Sequence, residues 1–378
     1  MRRVYCDISA TTPIDSNVLS YMNDVDRSCY GNPSSIHQFG QSSKAVIEKA
    51  RRQIASSLNC RISEIIFTSG GSEANNLILR GCLQSGDHVI SSSYEHPAIL
   101  SVLNNLRHKG IEVSLVKPRS DGSLNIDDVE KTIRTNTKLI SIMMANNEIG
   151  SINSIENLRS ITKNKSIVLH SDTVQTIGKV QVDFKKLNVD AISLSAHKFY
   201  GPKGVGALIA KESLSINPQI IGGNQEKGLR AGTENISGIG GMGLACEIAT
   251  KGLTENTKKI KNLEGILLQN FNNNNINYTL NGEKRIPGVM SLTFDGVKGN
   301  DLIISLDLEG IGASFGSACA SGTAKPSSCL TETGMSLESA GSTIRISIGK
   351  LLTEEDISYV ASTICHTLKK ERKFIHAR

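Results

Sequence analysis

The chain has no tryptophan, and aromatic residues make up only 4% of its 378 positions. A protein that grips single-stranded nucleic acid by base stacking needs aromatic platforms, so direct nucleic-acid binding is not expected. Charge points the same way. The formal net charge is +6, and apart from the C-terminal run Lys369-Lys-Glu-Arg-Lys-Phe-Ile-His-Ala-Arg378 the basic residues are scattered, which leaves no electrostatic footprint for a polyanion. Long apolar runs are also missing. No stretch nears the roughly 20 apolar residues that span a bilayer, and the opening Met-Arg-Arg-Val-Tyr-Cys-Asp lacks the apolar core of a signal peptide. A cytoplasmic protein without membrane contact is therefore expected. The eight cysteines, at 6, 29, 60, 82, 246, 319, 329 and 365, contain no C-x-x-C pair, which argues against a zinc site and against a disulfide framework.

What is present is length enough for two domains and a regular alternation of apolar and helical segments. The first forty residues are punctuated by Ala10-Thr-Thr-Pro13 and Tyr30-Gly-Asn-Pro-Ser-Ser35, extended or turn segments because a residue before proline is pushed out of the helical region. A short helix over 15–27 and a longer one over 41–58 lead into strands at 64–68, 88–91, 111–116, 138–144, 166–171, 190–195 and 205–210. Helices at 72–80, from Pro97, at 126–134 and at 155–163 fall between them. Apolar strands alternating with helices predict a mostly parallel α/β sheet covered on both faces. One long helix is expected over 236–272, with the join between domains inside it. A strand at 289–294, a helix at 300–309, a glycine- and serine-rich loop at 312–328, a strand at 343–348 and a helix from Glu354 then read as an α+β layout. The expected division is 15–255 for the large domain and 1–14 with 256–378 for the small one.

Several short segments have the composition of chemical sites. Lys198 lies between the apolar strand ending at Ser195 and the turn Gly201-Pro-Lys-Gly204, beside His197. An amine so placed suits Schiff-base chemistry on a phosphorylated aldehyde, although a solvated loop lysine has the same signature. Thr68-Ser-Gly-Gly-Ser-Glu-Ala-Asn75 joins a strand to a helix through two glycines, so the amides of Gly71 and Ser72 would form an anion site at a helix start; Ser72 would serve equally as an N-cap. Asp172 follows an apolar strand, where open α/β sheets hold ligands, and a carboxylate there can pair with a protonated pyridine nitrogen or simply close a turn. Glu95-His96-Pro97 follows another strand, and an imidazole there can stack on a flat cofactor or move protons.

The order of these segments is more specific than any one of them. S-G-G-S-E-A-N-N, E-H, N-N-E-x-G from Asn146 to Gly150, D-x-x-Q from Asp172 to Gln175, S-A-H-K-x-x-G-P-K-G from Ser195 to Gly204 and R-A-G-T-E-N from Arg230 to Asn235 resemble the pyridoxal-phosphate-dependent cysteine desulfurases of the NifS/IscS type, in the class V aminotransferase group. The resemblance runs from Tyr5 to Arg345. It implies a transferase of fold type I, with a seven-stranded, mostly parallel sheet in the large domain, and a homodimer. It makes Lys198 the Schiff-base lysine, Asp172 the partner of the pyridinium nitrogen, Gln175 the donor to the ring hydroxyl and His96 the residue stacked on the ring. Gly71, Ser72, Ser195 and His197 would hold the phosphate, with Thr233 reaching it from the other subunit. Asn147 and Arg345 fall where the family binds the substrate carboxylate.

The segment Ser314-Phe-Gly-Ser-Ala-Cys319-Ala-Ser-Gly-Thr323 resembles the loop whose cysteine accepts sulfur in that family. The implied reaction takes L-cysteine to L-alanine, with sulfur held as a persulfide on Cys319 and passed to an iron–sulfur scaffold or another acceptor protein. No resident metal is implied; Cys319 is the one candidate contact to a transferred iron–sulfur cluster. A selenocysteine lyase or a class V aminotransferase would keep Lys198 and Asp172 with less need of Cys319, and an idle assembly scaffold is the alternative outside enzymes. The chain departs from the family pattern at Lys325, where relatives often carry an acidic residue, and at Cys6 and Ile8.

Overall fold

The computed structural model describes residues 2–162, 165–316 and 326–376. Its main sheet has seven strands, Ile65–Thr68, His88–Ser92, Glu112–Val116, Thr137–Ser141, Val168–Asp172, Ala191–Ser195 and Gly206–Ala210. Across the sheet they run in the order 65–68, 206–210, 191–195, 168–172, 137–141, 88–92, 112–116. The strand Gly206–Ala210 is antiparallel to both neighbours, and the other six point one way. This is the mostly parallel α/β sheet that the alternation predicts.

A strand covered on both faces is apolar or small along its whole length rather than alternating, and Ala191–Ser195 and Gly206–Ala210 are buried throughout. On one face Ile192, Leu194 and Ile209 pack with Ile54 of the helix Gln38–Leu58 and Met242 of the helix Ile236–Lys251. Those two helices meet closely at Gly243, where an added Cβ would lie 2.5 Å from the Cα of Ala50. On the other face Val89, Leu139 and Leu208 pack with Leu77 and Ile78 of the helix Gly71–Cys82 and Leu103 of the helix Pro97–Arg107.

A second apolar core lies under a four-stranded antiparallel sheet, ordered Ser314–Phe315, Thr343–Ser347, Val289–Thr293, Thr279–Asn281. Met290, Leu292, Ile344 and Ile346 of that sheet pack with Leu263 and Phe271 of the helix Leu253–Asn273 and with Val360 and Ile364 of the helix Glu354–His376. The N-terminal strand Val4–Tyr5 pairs in parallel with Ile311–Gly312, and Cys6 is fully buried in this core.

Two expectations of secondary structure are corrected. The long helix over 236–272 is two helices, Ile236–Lys251 and Leu253–Asn273, broken at Gly252. Gly252 has φ −83° and ψ 1°; its N–H closes the first helix on Ile248 O, and its own carbonyl accepts from Asn256 N to open the second. Glycine is among the weakest helix formers, and here it serves as the hinge point. The segment 312–328 is not one loop: Ile311–Gly312, Ser314–Phe315 and the helix Ser328–Glu332 occupy its ends. Such short elements depend on tertiary pairing and leave little periodicity to read.

Candidate active site

The six parallel strands end along one edge of the sheet, and the connections leaving that edge converge on a cavity of about 220 Å³. Gly71, Ser72, His96, Asn147, Asp172, Gln175, Ser195, His197 and Lys198 all line it. This is where open α/β sheets bind ligands, because strand ends present side chains and helix starts to the same crevice.

Lys198 closes a single 3-10 turn, Ala196–Lys198, directly after Ser195. Its Nζ donates to the carbonyls of Ser9 at 2.6 Å and Ala10 at 2.7 Å, so the N-terminal segment forms the wall against which the amine rests. That segment is tied to the same turn elsewhere. Thr12 Oγ1 donates to His197 O, Tyr200 N donates to Thr12 Oγ1, and His197 Nδ1 lies 3.0 Å from Thr11 Oγ1. Burial, and then the neighbouring charge of Lys198, push the His197 imidazole down to about 4, so it stays neutral at physiological pH.

Asp172 is buried at the end of its strand. Its Oδ1 accepts from Val174 N at 2.9 Å and its Oδ2 from Asn75 Nδ2 at 2.7 Å. Its carboxylate is thus oriented by donors on both sides. His96 begins the helix Pro97–Arg107, and its Nδ1 accepts from Ala98 N at 3.0 Å. A ring that accepts at Nδ1 carries its proton on Nε2 when neutral. Burial pushes its pKa down, against a smaller upward pull from Asp172 and with a further downward push from Lys198. Beside it Glu95 is fully buried; burial, opposed by donors from Ser92 and Met143, pushes its carboxyl up to about 8.

The opposite end of the cavity suits an anion. Gly70 is the N-cap of the helix Gly71–Cys82, and no side chain caps it. Ser72 sits inside the first turn, so it is not the cap. The Glu73 carboxylate turns back to Ser69 N at 2.7 Å and to Arg230 Nε at 2.9 Å. The helix start is thereby left to Gly71, Ser72 and Ser195, with its amide dipoles aimed outward. An added Cβ on Gly71 would come within 2.7 Å of Val174 Cγ2, so only glycine lets the chain pass this close.

Arg345 stands behind the cavity rather than in its lining. Its Nη1 donates to Asn147 O at 2.9 Å, its Nη2 donates to Asp7 Oδ1 at 2.6 Å and Ser314 Oγ at 3.1 Å, and its buried Nε has no partner among the described residues. Gln175 donates from Nε2 to Ser9 O at 2.9 Å and accepts at Oε1 from Lys179 Nζ at 2.8 Å. Thr233 is exposed and does not line this cavity. Cys319 and Lys325 lie outside the described residues. Sequence reading passed over Ser9, Asn75 and Lys179. Asn75 carried a signal, since it falls four residues after Gly71 and therefore on the same helix face. The backbone carbonyl of Ser9 carried none. Among the described residues no cluster of side chains could hold a metal, the seven described cysteines are free thiols, and no helix is long and apolar enough to cross a membrane.

Residues 4–360 match the family model for aminotransferase class-V. The cysteine desulfurase IscS of Clostridium botulinum is 40% identical over 98% of this chain and 96% of its own length. Among solved structures, a NifS-like protein superposes with a TM-score of 0.91 at 36% identity, covering 97% of this chain and 100% of its own. SspA in complex with cysteine superposes with a TM-score of 0.81 at 33% identity, covering 92% and 99%. The chain belongs to the class-V aminotransferase family and, within it, to the cysteine desulfurases of the IscS and NifS type.

Proposed function

We propose that the chain uses pyridoxal phosphate to convert L-cysteine to L-alanine, holds the sulfur as a persulfide on Cys319 and passes it to an acceptor protein in the cytoplasm, for iron–sulfur cluster assembly or tRNA thiolation. The observation that carries this reading is that one cavity gathers the Lys198 amine, the Asp172 carboxylate and the uncapped start of the helix Gly71–Cys82. These suit, in turn, an aldehyde, a protonated ring nitrogen and a phosphate. Residues 15–255 are the cofactor-binding domain in this reading and 1–14 with 256–378 the smaller one, a division that the separate apolar cores support. In this reading the chain is a homodimer, and the exposed Thr233 serves the partner's phosphate site.

The chemistry that pyridoxal phosphate supplies when bound is withdrawal of electron density from the substrate Cα. Asp172, its carboxylate oriented by Asn75 and Val174, would pair with the protonated ring nitrogen and favour that protonated form by its charge. The Lys198 amine takes the Cα proton. Arg345, whose Nε has no partner among the described residues, receives the substrate carboxylate together with the neighbouring Asn147, a task suited to a planar fork of donors. His96 offers an Nε2 proton from a ring locked by Ala98 N. Cys319, as thiolate, attacks the substrate sulfur: the S–S bond forms as the Cβ–S bond breaks, the electron pair of the broken bond goes to carbon, and protonation there yields alanine.

The test is alanine and sulfide release from cysteine under a thiol reductant, with the visible absorbance of the bound cofactor recorded alongside. Lys198→Ala is expected to lose both the characteristic absorbance and, by about 10³-fold or more, the release of alanine. Cys319→Ala is expected to keep the absorbance and lose sulfide release. Persulfide formation undiminished in Cys319→Ala overturns the acceptor assignment. Alanine formed from selenocysteine but not from cysteine would make the chain a selenocysteine lyase.

A further inference from the structure

Lys179 is buried, and the reaction as outlined does not use it. Only 7% of its surface is exposed, and among the described residues the one hydrogen-bond partner of its side chain is Gln175 Oε1, at 2.8 Å. No carboxylate pairs with it among the described residues. Its charged neighbours are cations: burial first, then Lys198 and Arg345, push its pKa down to about 7.

As a contribution to stability this arrangement is poor. Taking an amine out of water costs several kcal/mol by general experience, and one hydrogen bond returns about 1–3 kcal/mol. A methionine of similar length would fill the same space without that cost. The group that gains is Gln175. An amide presents a donor at one end and an acceptor at the other, and the two are interchangeable unless neighbours distinguish them. Lys179 donates to Oε1, which leaves Nε2 as the end turned to Ser9 O at 2.9 Å. The same carbonyl of Ser9 accepts from Lys198 Nζ. The chain of contacts therefore runs from Lys179 through Gln175 and Ser9 to the amine in the cavity.

We propose that Lys179 is a positioning residue that holds the Gln175 amide with its N–H₂ toward the cofactor site, so that Gln175 can only donate there. This rests on the reading of Gln175 as a donor to the cofactor's ring hydroxyl. The hydrogen bond from Lys179 thus serves orientation rather than fold stability.

The test titrates apo-protein with pyridoxal phosphate, following visible absorbance, for wild type, Lys179→Met, Lys179→Arg, Gln175→Ala and the double variant Lys179→Met/Gln175→Ala. Thermal stability of each apo-protein is measured as well. Lys179→Met is expected to weaken cofactor binding by up to roughly tenfold, the upper end of what one hydrogen bond contributes, while leaving the apo-protein as stable as wild type or more so. Lys179→Arg keeps a donor and is expected to stay within about twofold of wild type in binding. In the double variant the Met substitution adds nothing to the loss already caused by Gln175→Ala, because the two residues act as one unit. Losses that multiply in the double variant, or wild-type binding by Lys179→Met, overturn the proposal while the reading of Gln175 stands. An apo-protein destabilised by Lys179→Met, with binding restored at a temperature where it is folded, also overturns it. Unchanged binding and absorbance in Gln175→Ala removes the reading of Gln175 and the proposal with it.

Discussion

The two walls of the cavity are built by different means. On one side Ser195, Lys198, Asp172 and Gly71 hang from strand ends, within a few residues of a sheet that is buried on both faces. On the other side Ser9 and Ala10 supply backbone carbonyls, and Asp7 anchors Arg345, which rises from a strand of the second sheet. The first wall is fixed by short-range connectivity. The second depends on contacts such as Lys198 to Ser9, 189 residues apart in sequence. The strand-end wall therefore suits groups that must not move during chemistry, and the far wall suits binding groups that two packed cores adjust together.

If that division is right, damage to the two walls should separate kinetically. The largest effect is expected from Asp172→Asn. The variant can keep its geometry, because Asn75 Oδ1 is buried without a partner among the described residues and a flip of the Asn75 amide would let it accept from the N–H₂ that the substitution introduces. Only the negative charge is lost. We expect kcat to fall by about 10²–10⁴-fold, as for other groups acting on charge in the transition state, with the apo-protein still folded by circular dichroism. A kcat within a factor of a few of wild type would mean that the carboxylate is structural. A smaller effect is expected from Arg345→Lys on the far wall. A single ammonium cannot reach Asp7, Asn147 O and a substrate carboxylate together, so the KM for cysteine should rise roughly tenfold or more with a lesser change in kcat. The reverse pattern, kcat lost and KM kept, would erase the distinction between the walls.

The same contrast explains what could be read from sequence. The seven-strand α/β sheet was legible because its apolar strands alternate with helices whose faces they need. The place of Lys198 and Asp172 in the cavity was legible because each sits at or just past the end of such a strand, whereas Gln175, which lines it too, was picked out by the family resemblance. Ser9 was not, because its contribution is a carbonyl that every residue possesses. Lys179 was not, because a lysine near a turn reads as solvated, and its burial follows from packing between distant segments. Gly252 was absorbed into one long helix because both flanks have helical composition; only the ψ near zero at that residue reveals the break. Thr233 shows the limit from the other direction, since its exposure in one chain says nothing alone about where a second chain would bring it.

The smallest effect tests the strand-end wall for stability rather than rate. Glu95 follows the strand His88–Ser92; its Oε1 accepts from Ser92 Oγ at 2.6 Å and Met143 N at 2.8 Å, and its Oε2 is buried without a partner among the described residues. Its carboxyl is pushed from 4.5 to about 8, mainly by burial, with Asp172 adding to the rise. The folded state then binds a proton that the unfolded chain releases above about pH 4.5. By linkage this contribution is fully present below pH 4.5 and is lost as pH rises toward 8. Glu95→Gln removes the titration while an amide keeps an acceptor for Ser92 and Met143. The difference in melting temperature, variant minus wild type, should therefore grow from pH 5 to pH 8.5 and reach on the order of a few degrees. A difference that stays flat across that range would mean that Glu95 is ionised in the folded apo-protein, and that this wall holds a second buried negative charge beside Asp172.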